Sequence, residues 1–208
     1  MALDVQRRLT LTLIITSCVL FVEAAGGYVS NSLALLSDAG HVFTDAFALA
    51  LSLLAFRISR RPSGIRATFG YQRVGILAAA VNGLSLLGIA LLIFIESYKR
   101  LVQPSGIDLD VMLPVAALGL AANLVMAAIL GHGHKDLNIK SAWLHVLGDT
   151  LSSVGVIISG VIVYFTGWLY ADPITGFLIG GIIITGGFRV VREALSVFLE
   201  LVPGGYNV

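Results

Sequence analysis

Two five-residue segments, His41-Val-Phe-Thr-Asp45 and His145-Val-Leu-Gly-Asp149, share a His-x-x-x-Asp spacing inside stretches otherwise rich in Leu, Ala and Val. On an α-helix this spacing places an imidazole and a carboxylate on one face, one turn apart, so each segment offers one nitrogen and one oxygen ligand to a common point. Two such faces brought together form an N2O2 shell, which borderline divalent ions, zinc first among them, accept as a tetrahedron. Four protein ligands leave no position for an activated water, which separates carriage of an ion from hydrolysis. An intramembrane metallohydrolase would need Glu23 or Glu96 as general base, and neither lies in the ligand-bearing segments; His-Glu-x-x-His is also lacking. The chain is therefore expected not to be an enzyme. A competing structural reading has two buried His–Asp pairs neutralising each other without metal. It leaves unexplained why four costly groups are kept, since apolar replacements of such pairs often stabilise a fold.

Metal binding requires neutral imidazole and ionised carboxylate, and free imidazole titrates near pH ~6.5, so Zn2+ would displace whatever protons the empty site holds. A site loaded with Zn2+ on one side and with H+ on the other is an antiporter in outline. His41 and His145 are the expected proton carriers, with either aspartate able to join them if burial favours its neutral form.

The elements that must position these residues are membrane helices. The 208-residue chain is 57% hydrophobic and only 12% charged, about half the charged fraction of an ordinary soluble domain. A net charge of +1 points to neither nucleic acid nor an acidic partner. The single cysteine, Cys18, excludes an internal disulfide and makes a thiolate metal site unattractive. The first apolar stretch follows Arg7 and Arg8 without a persuasive small-residue cleavage site and reads as the first transmembrane helix.

Six stretches reach the roughly 20 residues that a bilayer core requires: approximately 9–29, 33–56, 72–98, 109–131, 142–166 and 174–199. The expected fold is thus all-α, a six-transmembrane-helix bundle over residues 1–202. Asp172-Pro173 reads as cap and first-turn proline of the last helix. With the N-terminus inside, eleven Lys and Arg fall in cytoplasmic segments and only Lys99 and Arg100 outside. Both termini are therefore expected to be cytoplasmic. The cell inner or plasma membrane is the expected location. Asp38, His41, Asp45 and Ser52 form a polar stripe on the second helix, and Ser141, His145, Asp149, Ser152 and Ser159 form another on the fifth. An ionisable group at the bilayer midplane costs about 2.5–3.5 kcal/mol even on the mildest scale, so these stripes are expected to face each other and not lipid.

Longer motifs surround the ligand pairs: Asn31-Ser-Leu-Ala-Leu-Leu-Ser-Asp-Ala-Gly-His41 leading into Thr44-Asp45, Thr68-Phe-Gly-Tyr-Gln-Arg73, Ser141-Ala-Trp-Leu-His145 with Gly148-Asp149, and Ala171-Asp-Pro-Ile174. With these, nearly the whole chain resembles the transmembrane domain of the cation diffusion facilitator family, its zinc-transporting group in particular. The resemblance implies a six-helix bundle, a homodimer, alternating access and export of Zn2+ from the cytoplasm in exchange for H+, with His41, Asp45, His145 and Asp149 as the transport site. Two imidazoles favour Zn2+ over Mn2+ and Mg2+ and leave Cd2+, Co2+ and Ni2+ as minor substrates. A membrane module that binds or senses metal without transporting it is the alternative.

Some relatives carry a second metal site in the helix 2–3 loop. Residues 57–71 here contain Arg57, Arg60, Arg61 and Arg66 but no Asp, Glu or His, so no metal is expected there. The family usually continues into a cytoplasmic ferredoxin-like domain, and residues 203–208 are expected to be the start of such a C-terminal region, truncated or naturally missing. His132 and His134 form a weak candidate collector of metal in the helix 4–5 loop. Asp38 is a candidate partner of the ligands or part of the exit, Asn82 and Asn123 are candidate hydrogen-bond partners of the ligands, and Glu23 and Glu96 are candidates for the polar ends of a cavity. Gly83 and Gly88, Gly155 and Gly160, and Gly176 and Gly180 are expected to allow close helix approach.

Overall fold

The computed structural model describes residues 2–59, 74–131 and 137–199. Among them are six α-helices and no strand: α1 (Ala2–Ser30), α2 (Leu33–Ser59), α3 (Val74–Val102), α4 (Leu109–Leu130), α5 (Leu137–Thr166) and α6 (Ala171–Phe198). These match the six apolar stretches, and most run a few residues past them because backbone hydrogen bonding continues into the polar interface. Five described segments are long and apolar enough to cross a membrane, in α1, α3, α4, α5 and α6, as expected for a multi-pass membrane protein. The remaining helix, α2, has 27 residues, a rise of about 40 Å that also suffices. Its first half carries Asp38, His41 and Asp45. Arg60, Arg61, Arg66, the 68–73 motif, His132, His134 and residues 203–208 lie outside the described residues, as do the side chains of Ser52 and Ser141.

The helices pack as two units. The first comprises α1, α2 as far as Phe43, α3 from Ile93, α4, α5 and α6 as far as Gly180; the second comprises α2 from Thr44, α3 as far as Leu92 and α6 from Gly181. In the first unit α4 lies against both α1 and α5. Met126, Leu130 and Val146 form a buried cluster there with Ile15, Ala127 and Trp143 around it. A methyl group on Gly160 would come within 2.7 Å of Leu113, and one on Gly26 within 2.7 Å of Val115, so the absent side chains let α5 and α1 close on α4.

The glycine pairs divide by spacing. Gly176 and Gly180, four residues apart, share a face; one meets Leu33 and Ser37 of α2, the other Ile93 and Phe94 of α3. Gly83 and Gly88 are five apart, about 140° around a helix. In the second unit Gly83 packs on Val191 and Gly187, whereas Gly88 faces open space. Gly160 is a close contact, while its partner Gly155 makes only ordinary contact with Thr175.

One end of the first unit is tied by polar contacts. Asn31, at φ 56°, turns the chain from α1 into α2, a left-handed conformation that Asn tolerates better than most residues. Its side-chain Nδ2 donates to Gly106 O at 3.0 Å. Arg100 donates to Asn31 O at 2.5 Å and to Asn31 Oδ1 at 2.9 Å, and its Nε to Glu96 Oε1 at 3.2 Å. Glu96 is thus a partly exposed carboxylate paired at a helix end. Asp108 caps α4, accepting from the amides of Asp110 and Val111. Tyr28, Tyr98, Tyr164 and Trp168 are exposed around this end, the placement of an interfacial aromatic girdle.

Asp172 differs from its expected role. It lies in the first turn of α6, yet its carboxylate caps α2. Oδ1 accepts from Ser32 Oγ at 2.6 Å and Ala34 N at 3.2 Å, and Oδ2 accepts from Leu33 N at 2.7 Å. The first amides of a helix have no intrahelical acceptor, and here the acceptor comes from another helix 138 to 140 residues away.

Candidate metal centre

The ligand-bearing part of α2 starts from that cap. His41 follows Leu33 by eight residues, about 12 Å along the axis, and emerges beside α5. Its Nε2 lies 3.6 Å from Asp149 Oδ1, and His145 Nε2 lies 3.7 Å from Asp149 Oδ2. The carboxylate therefore stands between the two imidazoles, one oxygen toward each. The rings are 6.4 Å apart between centroids and inclined at 61°. A tetrahedral Zn2+ with bonds of about 2.0–2.2 Å has ligand-to-ligand edges of about 3.3–3.6 Å. The His41 separation is at the top of that range, the His145 separation runs to the other carboxylate oxygen, and both are too long for direct hydrogen bonds.

Side-chain exposure falls from 46% at His145 through 23% at His41 to 4% at Asp149, so the group opens on the His145 side. Asp45 follows His41 by one turn in the sequence of α2. Of the four candidate ligands, the first unit brings together His41, His145 and Asp149. Asp45 belongs to the second unit's portion of α2, which begins at Thr44.

A second polar layer adjoins these residues in the first unit. Ser153, one turn beyond Asp149, donates to Asp38 Oδ2 at 3.1 Å and accepts from Asn123 Nδ2 at 3.1 Å. All three are buried. Asn123 was a candidate partner of the ligands; its amide instead bonds a hydroxyl on α5. Sequence periodicity singled out Ser152, whereas the linking residue is Ser153. Both lie within about 60° of Asp149 around the helix, and only the packing of α4 and α2 distinguishes them. Glu23 belongs to this layer too: it is 1% exposed, and its Oε1 occupies the place that a side chain on Gly119 would take. Asn82 lies in the second unit, its Oδ1 buried with no hydrogen-bond partner among the described residues.

Residues 9–199 match the cation efflux transmembrane domain. The chain is 43% identical over 204 residues to the zinc transporter ZitB of Escherichia coli K12, covering 97% of this chain and 65% of that protein. It is 43% identical over 199 residues to the metal cation efflux system protein CzcD of Cupriavidus metallidurans, covering 95% and 63%. To the cadmium, cobalt and zinc/H(+)-K(+) antiporter of Bacillus subtilis 168 it is 36% identical over 206 residues, covering 98% and 66%. It spans a little under two thirds of the length of these relatives. A match over nearly all the described helices, with His41, His145 and Asp149 drawn together among them, shows that this chain belongs to the cation efflux family, the cation diffusion facilitators.

Proposed function

We propose that the chain is the membrane part of a proton-coupled antiporter that exports Zn2+ from the cytoplasm through a site of His41, Asp45, His145 and Asp149. The observation that carries this reading is the Asp149 carboxylate facing both imidazoles, with Oδ1 3.6 Å from His41 Nε2 and Oδ2 3.7 Å from His145 Nε2. Asp45 supplies the fourth donor from the next turn of α2. The names of the similar proteins, which include zinc, cadmium, cobalt and proton antiport, support the substrate class.

The same arrangement serves both ions. With Zn2+ bound, both imidazoles are neutral and use their lone pairs on the metal. When the metal leaves, protonated imidazoles find Asp149 already facing each of them, and the 3.6 and 3.7 Å approaches become ion pairs. The Asp149 carboxylate can therefore offset part of either cation load, which makes exchange more favourable than emptying the site. The excess of basic residues in one set of connections supports cytoplasmic termini, the exposed apolar side chains are read as facing lipid, and the family supports a homodimer.

The test is Zn2+ uptake into proteoliposomes under an imposed pH gradient, comparing the chain with Asp45→Ala and Asp149→Ala. Gradient-dependent uptake lost in each variant supports the site and the coupling. Uptake that persists in both refutes the assignment, and Zn2+ binding without flux in the parent chain favours the metal-binding module.

A further inference from the structure

Asn123 stands on α4, a helix that contributes no ligand to the proposed site, yet it heads a series of hydrogen bonds that ends one turn from His41. Its Nδ2 donates to Ser153 Oγ on α5 at 3.1 Å, and Ser153 Oγ donates to Asp38 Oδ2 on α2 at 3.1 Å. All three side chains are buried, so water does not compete for these bonds. An amide NH2 can only donate; Ser153 therefore accepts from it, and its single hydroxyl proton is left for Asp38. Asp38 Oδ1 has no hydrogen-bond partner among the described residues, and the bond from Ser153 orients the carboxyl.

These bonds join helices held in different ways. α5 is locked on α4 by apolar packing: Val146 sits with Met126 and Leu130 in the buried cluster, and Gly160 lets Leu113 close on the α5 backbone. The start of α2 meets α5 at two polar levels. At one, His41 faces Asp149 at 3.6 Å; at the other, Asp38 is bonded to Ser153. From His41 back to Asp38 is about 4.5 Å along α2, and from Asp149 on to Ser153 is about 6 Å along α5. The levels correspond because the two helices run in opposite directions here, so a slide or tilt of α2 that carries His41 away from Asp149 also stretches the bond at Ser153. Within one helix the His–Asp spacing is fixed by the backbone. The dimension of the metal shell left to be set is the one between helices, and a shell discriminates by its size as well as by its donors.

Resting on the reading of His41, Asp45, His145 and Asp149 as the transport site, we propose that Asn123 and Ser153 are positioning residues for it: their link to Asp38 holds α2 at the distance from α5 that suits Zn2+ and disfavours the larger Cd2+. Neither residue is a ligand. When the link is cut, α2 can draw away from α5, and the shell widens. Zn2+ then loses affinity and Cd2+ largely keeps its own.

The experiment is calorimetric titration of the whole chain in lipid nanodiscs with Zn2+ and with Cd2+, for the parent, Ser153→Ala, Asn123→Leu and the double variant. The expected result is a loss of Zn2+ affinity of about 10-fold in each single variant, with Cd2+ affinity changed less than about 3-fold, so that the ratio of the two falls. Because Asn123 acts through Ser153, the double variant falls no further than Ser153→Ala. Either single variant suffices to read the ratio if the other does not fold. An unchanged ratio, equal losses for both ions, or additive losses in the double variant overturns the proposal. Undiminished Zn2+ affinity in Asp149→Ala counts against the transport site itself and overturns the proposal with it.

Discussion

Replacing Asp172 is expected to destabilise the protein far more than its place in the first turn of α6 suggests. Its carboxylate accepts three hydrogen bonds, from Ser32 Oγ at 2.6 Å, Leu33 N at 2.7 Å and Ala34 N at 3.2 Å, in a fully buried setting. A hydrogen bond to a charged group contributes about 1.5–3 kcal/mol, and a stranded buried donor costs about 1–3 kcal/mol. The three bonds share one acceptor group and do not add fully. Asp172→Ala strands all three donors and is expected to cost about 4 kcal/mol, a large part of a total stability of about 5–15 kcal/mol. Asp172→Asn keeps one acceptor oxygen but turns an NH2 group toward a donor, at about 2 kcal/mol. With about 2–4 °C per kcal/mol for a chain of this size, melting falls by about 4–8 °C for Asn and about 8–16 °C for Ala. The assay is thermal unfolding in detergent with hydrogen exchange at the Leu33 and Ala34 amides, which should lose protection first. If both variants melt within error of the parent and those amides exchange unchanged, the trans-cap does not hold α2.

Other expectations follow from single contacts. Gly119→Ala pushes a methyl group into Glu23 Oε1 and is expected to cost about 1–3 kcal/mol by overpacking. Gly88→Ala, which meets nothing within 4 Å, is expected to be neutral or to stabilise by up to about 1 kcal/mol through helix propensity; parallel melting curves that fail to separate the two would refute the packing argument. Asn31→Ala loses the side-chain bonds to Gly106 and Arg100 and puts at φ 56° a residue that tolerates this conformation less well than Asn, so it is expected to cost about 1–2 kcal/mol; Asn31→Gly should relieve the backbone part but not restore the bonds, as read by denaturation midpoints. Removing His145 or Asp149 should lower Zn2+ affinity measured by calorimetry by at least the 10- to 100-fold typical of mere supporting residues, and a smaller loss would remove that residue from the shell.

Local chemistry made much of this molecule legible before any coordinates. A run of some twenty apolar residues has few options besides a membrane helix, and six such runs appear as α1 to α6. The pairs His41/Asp45 and His145/Asp149 were readable because i,i+4 neighbours share a helix face wherever the helix goes. Tertiary contacts lack that short-range signature. Asp172 looked like the cap of its own helix, and only the meeting of α6 with the start of α2 assigned its oxygens to Ser32, Leu33 and Ala34. Periodicity singled out Ser152 on the ligand-bearing face of α5 and passed over its neighbour. The packing of α4 and α2 against α5 made Ser153 the link between Asn123 and Asp38.

What the sequence determined by itself is therefore the set of helices and the donor chemistry on two of their faces, since both depend on residues within one or two turns of each other. What only tertiary structure decided is which donors meet: one Asp149 oxygen toward each histidine, and Glu23 in the notch of Gly119. The approach of His41 to Asp149 and of Glu23 to Gly119 joins residues about a hundred positions apart, and it is set by side-chain volumes and helix packing, for which sequence spacing carries no period.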